Sequence, residues 1–81
     1  MFDTIEYFHH ACQNVVDDQD NPALNYAVNY AKHGLTITKV GREAHVQALY
    51  LRNNLSEWIG SIATETRSCL DNFIRVTKQK R

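Results

Sequence analysis

The 81 residues suffice for one hydrophobic core and not two, and 43% hydrophobic with 22% charged content belongs to a globular chain, not a disordered one. One proline and three glycines favour helices over the turn-dense pattern of a β-sandwich. Nine Lys and Arg balance nine Asp and Glu, so the chain as a whole offers no net attraction to nucleic acid or anionic lipid.

The first helix is expected over residues 4–17. Asp3 and Glu6 have the spacing of a capping box, and Phe2 and Tyr7 that of a hydrophobic staple. Ile5, Phe8, Cys12, Val15 and Val16 then recur at steps of three and four until the polar run Asp17–Asn21 ends the pattern. Asn21-Pro22 starts a second helix over 22–33, with Asn21 as cap and proline at the first helical position. Leu24, Ala27, Val28 and Ala31 form its inward stripe, and Lys32 and His33 suit its negative end. Gly34 is expected to end it in the left-handed conformation.

Thr36-Ile37-Thr38 is β-branched but has no partner strand in the chain, so it reads as a loop whose Thr38 caps a third helix. Val40, Ala44, Ala48, Leu51, Leu55, Trp58 and Ile62 follow at helical steps, and Cys69, Phe73 and Val76 resume them after a slip. Two readings fit: helices over 39–53 and 57–78, or one kinked or continuous helix about 60 Å long that would require a dimer. The break is favoured, because Asn53-Asn54 and Gly60-Ser61 are poor helix formers and Ser61 can cap. The fold class is therefore all-α, a small bundle of three to four helices in one domain spanning 1–81.

Candidate chemistry is sparse. His9 and Cys12 lie three apart, as two metal ligands on one helix face would, but His33 and His45 have no spacing that completes a site. Cys12 and Cys69 fall on apolar stripes, where thiols are inert, and both read as reduced. Asp17, Asp18 and Asp20 lack the downstream Gly and Glu of a calcium loop. No catalytic, cofactor or metal residues are assigned, and no enzyme activity is expected. Without a secretory leader pattern or an apolar run approaching about 20 residues, the expected setting is the cytoplasm, away from any membrane.

Charge is unevenly spread. Residues 1–40 set five acids against Lys32 and Lys39, whereas 41–81 set seven bases against four acids, so acidic and basic ends are expected to pack together within one chain or across a dimer. Arg75, Lys78, Lys80 and Arg81 could contact phosphates, which supports an alternative reading as a small nucleic-acid-binding regulatory protein. The aromatics point elsewhere. Tyr26 and Tyr30 stand one turn apart beside the apolar stripe, Tyr50 lies off the Ala48/Leu51/Leu55 stripe, and Val46 and Leu49 widen the apolar surface of the third helix. Tyr26, Tyr30, Tyr50, Leu55 and Trp58 are accordingly the expected contact cluster of a protein–protein interface, most simply that of a homodimer.

Leu24-Asn25-Tyr26-Ala27, Tyr30-Ala31, Gly34-Leu35, Val46-Gln47-Ala48-Leu49-Tyr50, Asn53-Asn54-Leu55 and Trp58-Ile59-Gly60 together resemble a pattern in a group of small uncharacterised proteins of phages, prophages and microbial genomes. The likeness covers about 50 residues, from Ala23 to Phe73, and departs from the pattern at Ile59, where the family has Arg. It implies no known activity. It does imply a turn at Trp58–Gly60 joining the last two helices.

Overall fold

Helix formation along the chain follows the apolar spacing, and each interruption has a local cause. The computed structural model describes residues 4–78. Four α-helices occur among them: α1 (Thr4–Asp17), α2 (Ala27–Gly34), α3 (Arg42–Asn53) and α4 (Ser61–Lys78), with no strand. Asp3 and Phe2, the expected cap and staple of α1, lie outside the described residues.

The second helix is shorter than 22–33. Pro22–Leu24 forms a 3₁₀ turn in which Asn21 Oδ1 accepts from the Ala23 N–H at 2.9 Å, and α2 proper starts at Ala27. Both linking residues, Asn25 and Tyr26, keep right-handed helical backbone, so the coil tightens rather than breaks. Gly34 does not take up left-handed backbone. Its role is close approach: a Cβ there would lie 2.7 Å from Cys12 Sγ and 2.8 Å from Phe8 Cζ.

The third helix starts at Arg42 rather than 39, capped by Gly41 without any side-chain bond, so Thr38 is not its cap. Burial of Ile37 accounts for the shift, because drawing that side chain under the bundle holds 36–41 as a loop. The fourth helix starts at Ser61 rather than 57. Gly60 has φ +117, a conformation that costs an L side chain about 1–2 kcal/mol and that stops any continuous helix. The Trp58–Gly60 turn is thus present, and the longest dimension of 36 Å rules out a single 60 Å helix.

Cross-contacts fix the topology as up-down-up-down: the far end of α2 returns to the first half of α1, with Gly34 against Phe8 and Cys12 and His9 bonded to the Ile37 carbonyl. Asp18 meets Trp58, His10 meets Glu65 and Phe8 stacks on Phe73, which makes α1 and α4 antiparallel. His33 approaches Glu43 and Tyr30 pairs with Tyr50, which does the same for α2 and α3. Phe8, Cys12, Val15, Leu24, Ala27, Val28, Ala31, Ala44, Ala48 and Leu51 enter one core as their spacing requires.

On α4 the inward stripe is only partly the one expected. Phe73 is buried as expected and Cys69 partly so, but Ile62 and Val76 are exposed, and Ala63, Thr66, Leu70 and Thr77 join Phe73 in facing inward. Both threonines are tolerated there because each hydroxyl donates to the carbonyl four residues back, Thr66 to Ile62 at 2.7 Å and Thr77 to Phe73 at 2.8 Å. Val40, read as part of the α3 stripe, is exposed in the preceding loop.

Candidate interaction surface

Of the five residues expected to make contacts, two are inside. Leu55 is fully buried and Trp58 only 2% exposed, both in the segment between α3 and α4 that folds back into the core. The indole N–H of Trp58 donates to Asp18 Oδ2 at 2.9 Å, and Arg67 holds the same segment by donating to the carbonyls of Leu55 and Trp58 at 2.9 and 2.7 Å. These residues shape the molecule; they offer no surface to a partner.

The three tyrosines behave differently. Tyr30 on α2 and Tyr50 on α3 bring their ring centroids to 5.8 Å with the planes tilted by 38°, a geometry that aromatic pairs favour. Tyr50 nevertheless remains 51% exposed, and Tyr26, one turn before Tyr30, is 76% exposed. Gln47 Nε2 donates to the Tyr30 carbonyl at 3.1 Å and fixes the register of the two helices beneath the rings. The result is a Tyr30–Tyr50 ring pair across the α2–α3 seam, with Tyr26 exposed one turn away. Leu49 and the partly buried Val46 extend the apolar surface of α3 beyond it.

Three histidines link separate elements. His9 Nε2 donates to the Ile37 carbonyl at 2.6 Å, and His10 Nε2 donates to Glu65 at 2.9 Å. His45 Nδ1 must be the donor to Thr77 Oγ1 at 2.6 Å, since that hydroxyl gives its own proton to Phe73. Burial pushes the Cys12 thiol up to about 12. Burial, followed by the nearby Glu65 carboxylate, raises Cys69 as well. Both thiols are free and stay protonated at neutral pH, the state in which cysteine is a poor nucleophile and ligand. His9 and Cys12 share α1 but serve different contacts: the ring closes over the 36–41 loop, while the thiol abuts Gly34. No group of three or more His, Cys, Asp or Glu suited to a metal ion occurs among the described residues.

Of the basic residues expected to contact phosphate, Arg75 is exposed and donates to Asn72 Oδ1 within its own helix. Lys80, Arg81 and the side chain of Lys78 lie outside the described residues. No described helix is long and apolar enough to cross a membrane. No protein-family model matches the chain, and neither a curated protein nor a solved structure matches it.

Sequence reasoning missed Asp18 and Arg67. Asp18 sits in a run of acids that reads as a solvated turn, and nothing local marks it as the acceptor for an indole forty residues away.

Proposed function

We propose that this is a non-enzymatic module that binds protein, a second copy of itself first, through the strip formed by Tyr26, Tyr30 and Tyr50. The observation carrying this reading is the exposure that Tyr50 keeps although its ring is packed against Tyr30. Tyr50 is packed against Tyr30 yet keeps half its surface in water, so a partner could bury it with little further loss of side-chain freedom. Tyrosine suits that role because it brings a large apolar ring together with a polar hydroxyl, and it is enriched among residues dominating binding energy. Zero net charge leaves no monopole repulsion between copies.

Two free thiols, one of them buried, support a reducing cytoplasmic setting. The residue pattern between Ala23 and Phe73 supports a phage or prophage origin, in which case a host protein is the next partner to seek.

A dilution series of heteronuclear NMR spectra tests the surface. The Tyr26, Tyr30 and Tyr50 amides and their neighbours on α2 and α3 should shift with concentration. Shifts confined to other faces, or none up to millimolar protein, would refute the reading.

A further inference from the structure

The antiparallel bundle sorts its charges by end. Where α1 finishes and α4 begins, Asp17, Asp18, Asp20 and Glu57 are exposed. The two arginines nearest that end are already engaged, Arg67 on main-chain carbonyls and Arg52 on Asp71 at 2.8 Å. Where α2 and α4 finish and α3 begins, Lys32, Lys39, Arg42 and Arg75 are exposed. None of these four forms an ion pair among the described residues. The described acids at that end are Glu6 and Glu43, and Glu43 lies 3.5 Å from His33.

Each end also exposes apolar side chains beside a shallow groove. At the acidic end Ile59 is 86% exposed and Ile62 half exposed, next to a groove of about 450 Å³ walled by Asn14, Asp17 and Asp18. At the basic end Val40 and Val76 are exposed, and a groove of about 430 Å³ runs along residues 36–43, with Lys39 and Arg42 in its lining.

We propose that these ends are the two halves of one contact, the acidic end of one molecule docking on the basic end of a second copy. Ile59 and Ile62 cover Val40 and Val76, while the carboxylates face Lys39 and Arg42. The two halves cannot meet within one chain, because they close opposite ends of a bundle 36 Å long. A molecule with no net charge and opposite ends of opposite sign has nothing to repel its neighbour and a dipole that orients it. The contact is heterologous and does not close, so it builds rows rather than a symmetric dimer. A cross-section of 21 × 21 Å limits the buried area to roughly 900 Å² in total, the size of a weak, transient contact. It is separate from the tyrosine strip, since Tyr30 and Tyr50 lie along the side of the bundle.

A charge-reversal pair tests the proposal by sedimentation velocity at about 50 mM and about 500 mM salt, with circular dichroism checking each fold. One variant carries Asp17→Lys and Asp20→Lys, leaving Asp18 to hold Trp58; the other carries Lys39→Glu and Arg42→Glu. Wild-type protein should associate at low salt, at least about tenfold more weakly at high salt. Each variant alone, with the charge contrast between its ends weakened or lost, should lose low-salt association at least tenfold, and an equimolar mixture, in which the intact acidic end of one variant meets the intact basic end of the other, should regain it. Tyr50→Ser should leave this salt-sensitive association intact, which separates it from the proposed function. Association unchanged by salt and by both variants would overturn the proposal, as would a mixture that fails to recover. So would a wild-type chain that stays monomeric at low salt while shifting random duplex DNA, which would assign Lys39 and Arg42 to phosphate.

Discussion

Trp58 and Asp18, forty residues apart, are joined by an indole N–H···carboxylate bond of 2.9 Å that pins the segment after α3 to the end of α1. The ring is buried, so Trp58→Ala should destabilise the protein by about 3–5 kcal/mol. Trp58→Phe keeps most of the volume and should cost less than Trp58→Ala. Asp18→Ala removes the acceptor of the indole and of the Asn21 side-chain amide, 3.1 Å away, and should cost about 1–3 kcal/mol. Urea denaturation of the three variants checks the ranking, and a cost below about 1 kcal/mol for Trp58→Ala would place the indole outside.

Gly34 and Gly60 should fail for different reasons. At Gly34 a methyl group would collide with Cys12 and Phe8, so Gly34→Ala should lower stability by about 1–3 kcal/mol through overpacking. The double change Gly34→Ala with Cys12→Ala should recover part of that loss, since the nearest colliding atom is then gone. At Gly60 a methyl group would meet no atom within 4 Å, and the cost of Gly60→Ala is backbone strain of about 1–2 kcal/mol that no neighbouring change relieves. Thermal unfolding of the single and double variants separates the two mechanisms.

How much of the fold is legible in the sequence depends on whether a residue's role is set by its near neighbours. The bounds of α1, the inward stripe of Leu24 to Ala31 and the break between α3 and α4 all follow from spacing and local backbone preference. The α4 stripe does not, because Thr66 and Thr77 look polar in sequence and become apolar-facing once each hydroxyl bonds its own helix. Gly34 reads as a helix stop because a glycine there is compatible with two roles, and only the position of α1 decides between them. Of the five residues grouped by sequence, Tyr26 and Tyr50 fall off the stripes and are exposed and Tyr30 is half-buried, whereas Leu55 and Trp58 belong to a segment that turns inward through long-range bonds to Asp18 and Arg67.

Thr77→Val should cost about 1–3 kcal/mol although it adds an apolar group to a buried position. It removes the acceptor for His45 Nδ1 and leaves a partly buried imidazole donor without its partner. His45→Phe together with Thr77→Val should cost less than the sum of the two single changes, by denaturant titration of all three.

Cys12 links stability to alkaline pH. Folding raises its thiol from an ordinary 9.0 to about 12, chiefly by burial, so above pH 9 the unfolded chain releases a proton that the folded chain retains. The stabilisation is complete below about pH 9 and declines as pH climbs towards 12, and Cys69, also raised, acts in the same direction. Urea midpoints at about pH 8 and 10.5 should fall further for wild type than for Cys12→Ala. In the native state a thiol reagent should modify Cys69 well before Cys12, with Cys12 reacting only on unfolding.

Sedimentation equilibrium at about 0.5 M salt, where charged ends are screened, tests the central claim most directly by comparing wild type with Tyr26→Ser/Tyr50→Ser. Wild type should form a concentration-dependent dimer and the double variant a monomer, with identical helical circular dichroism. A wild-type monomer at every concentration, or a dimer indifferent to the loss of both rings, would contradict the claim.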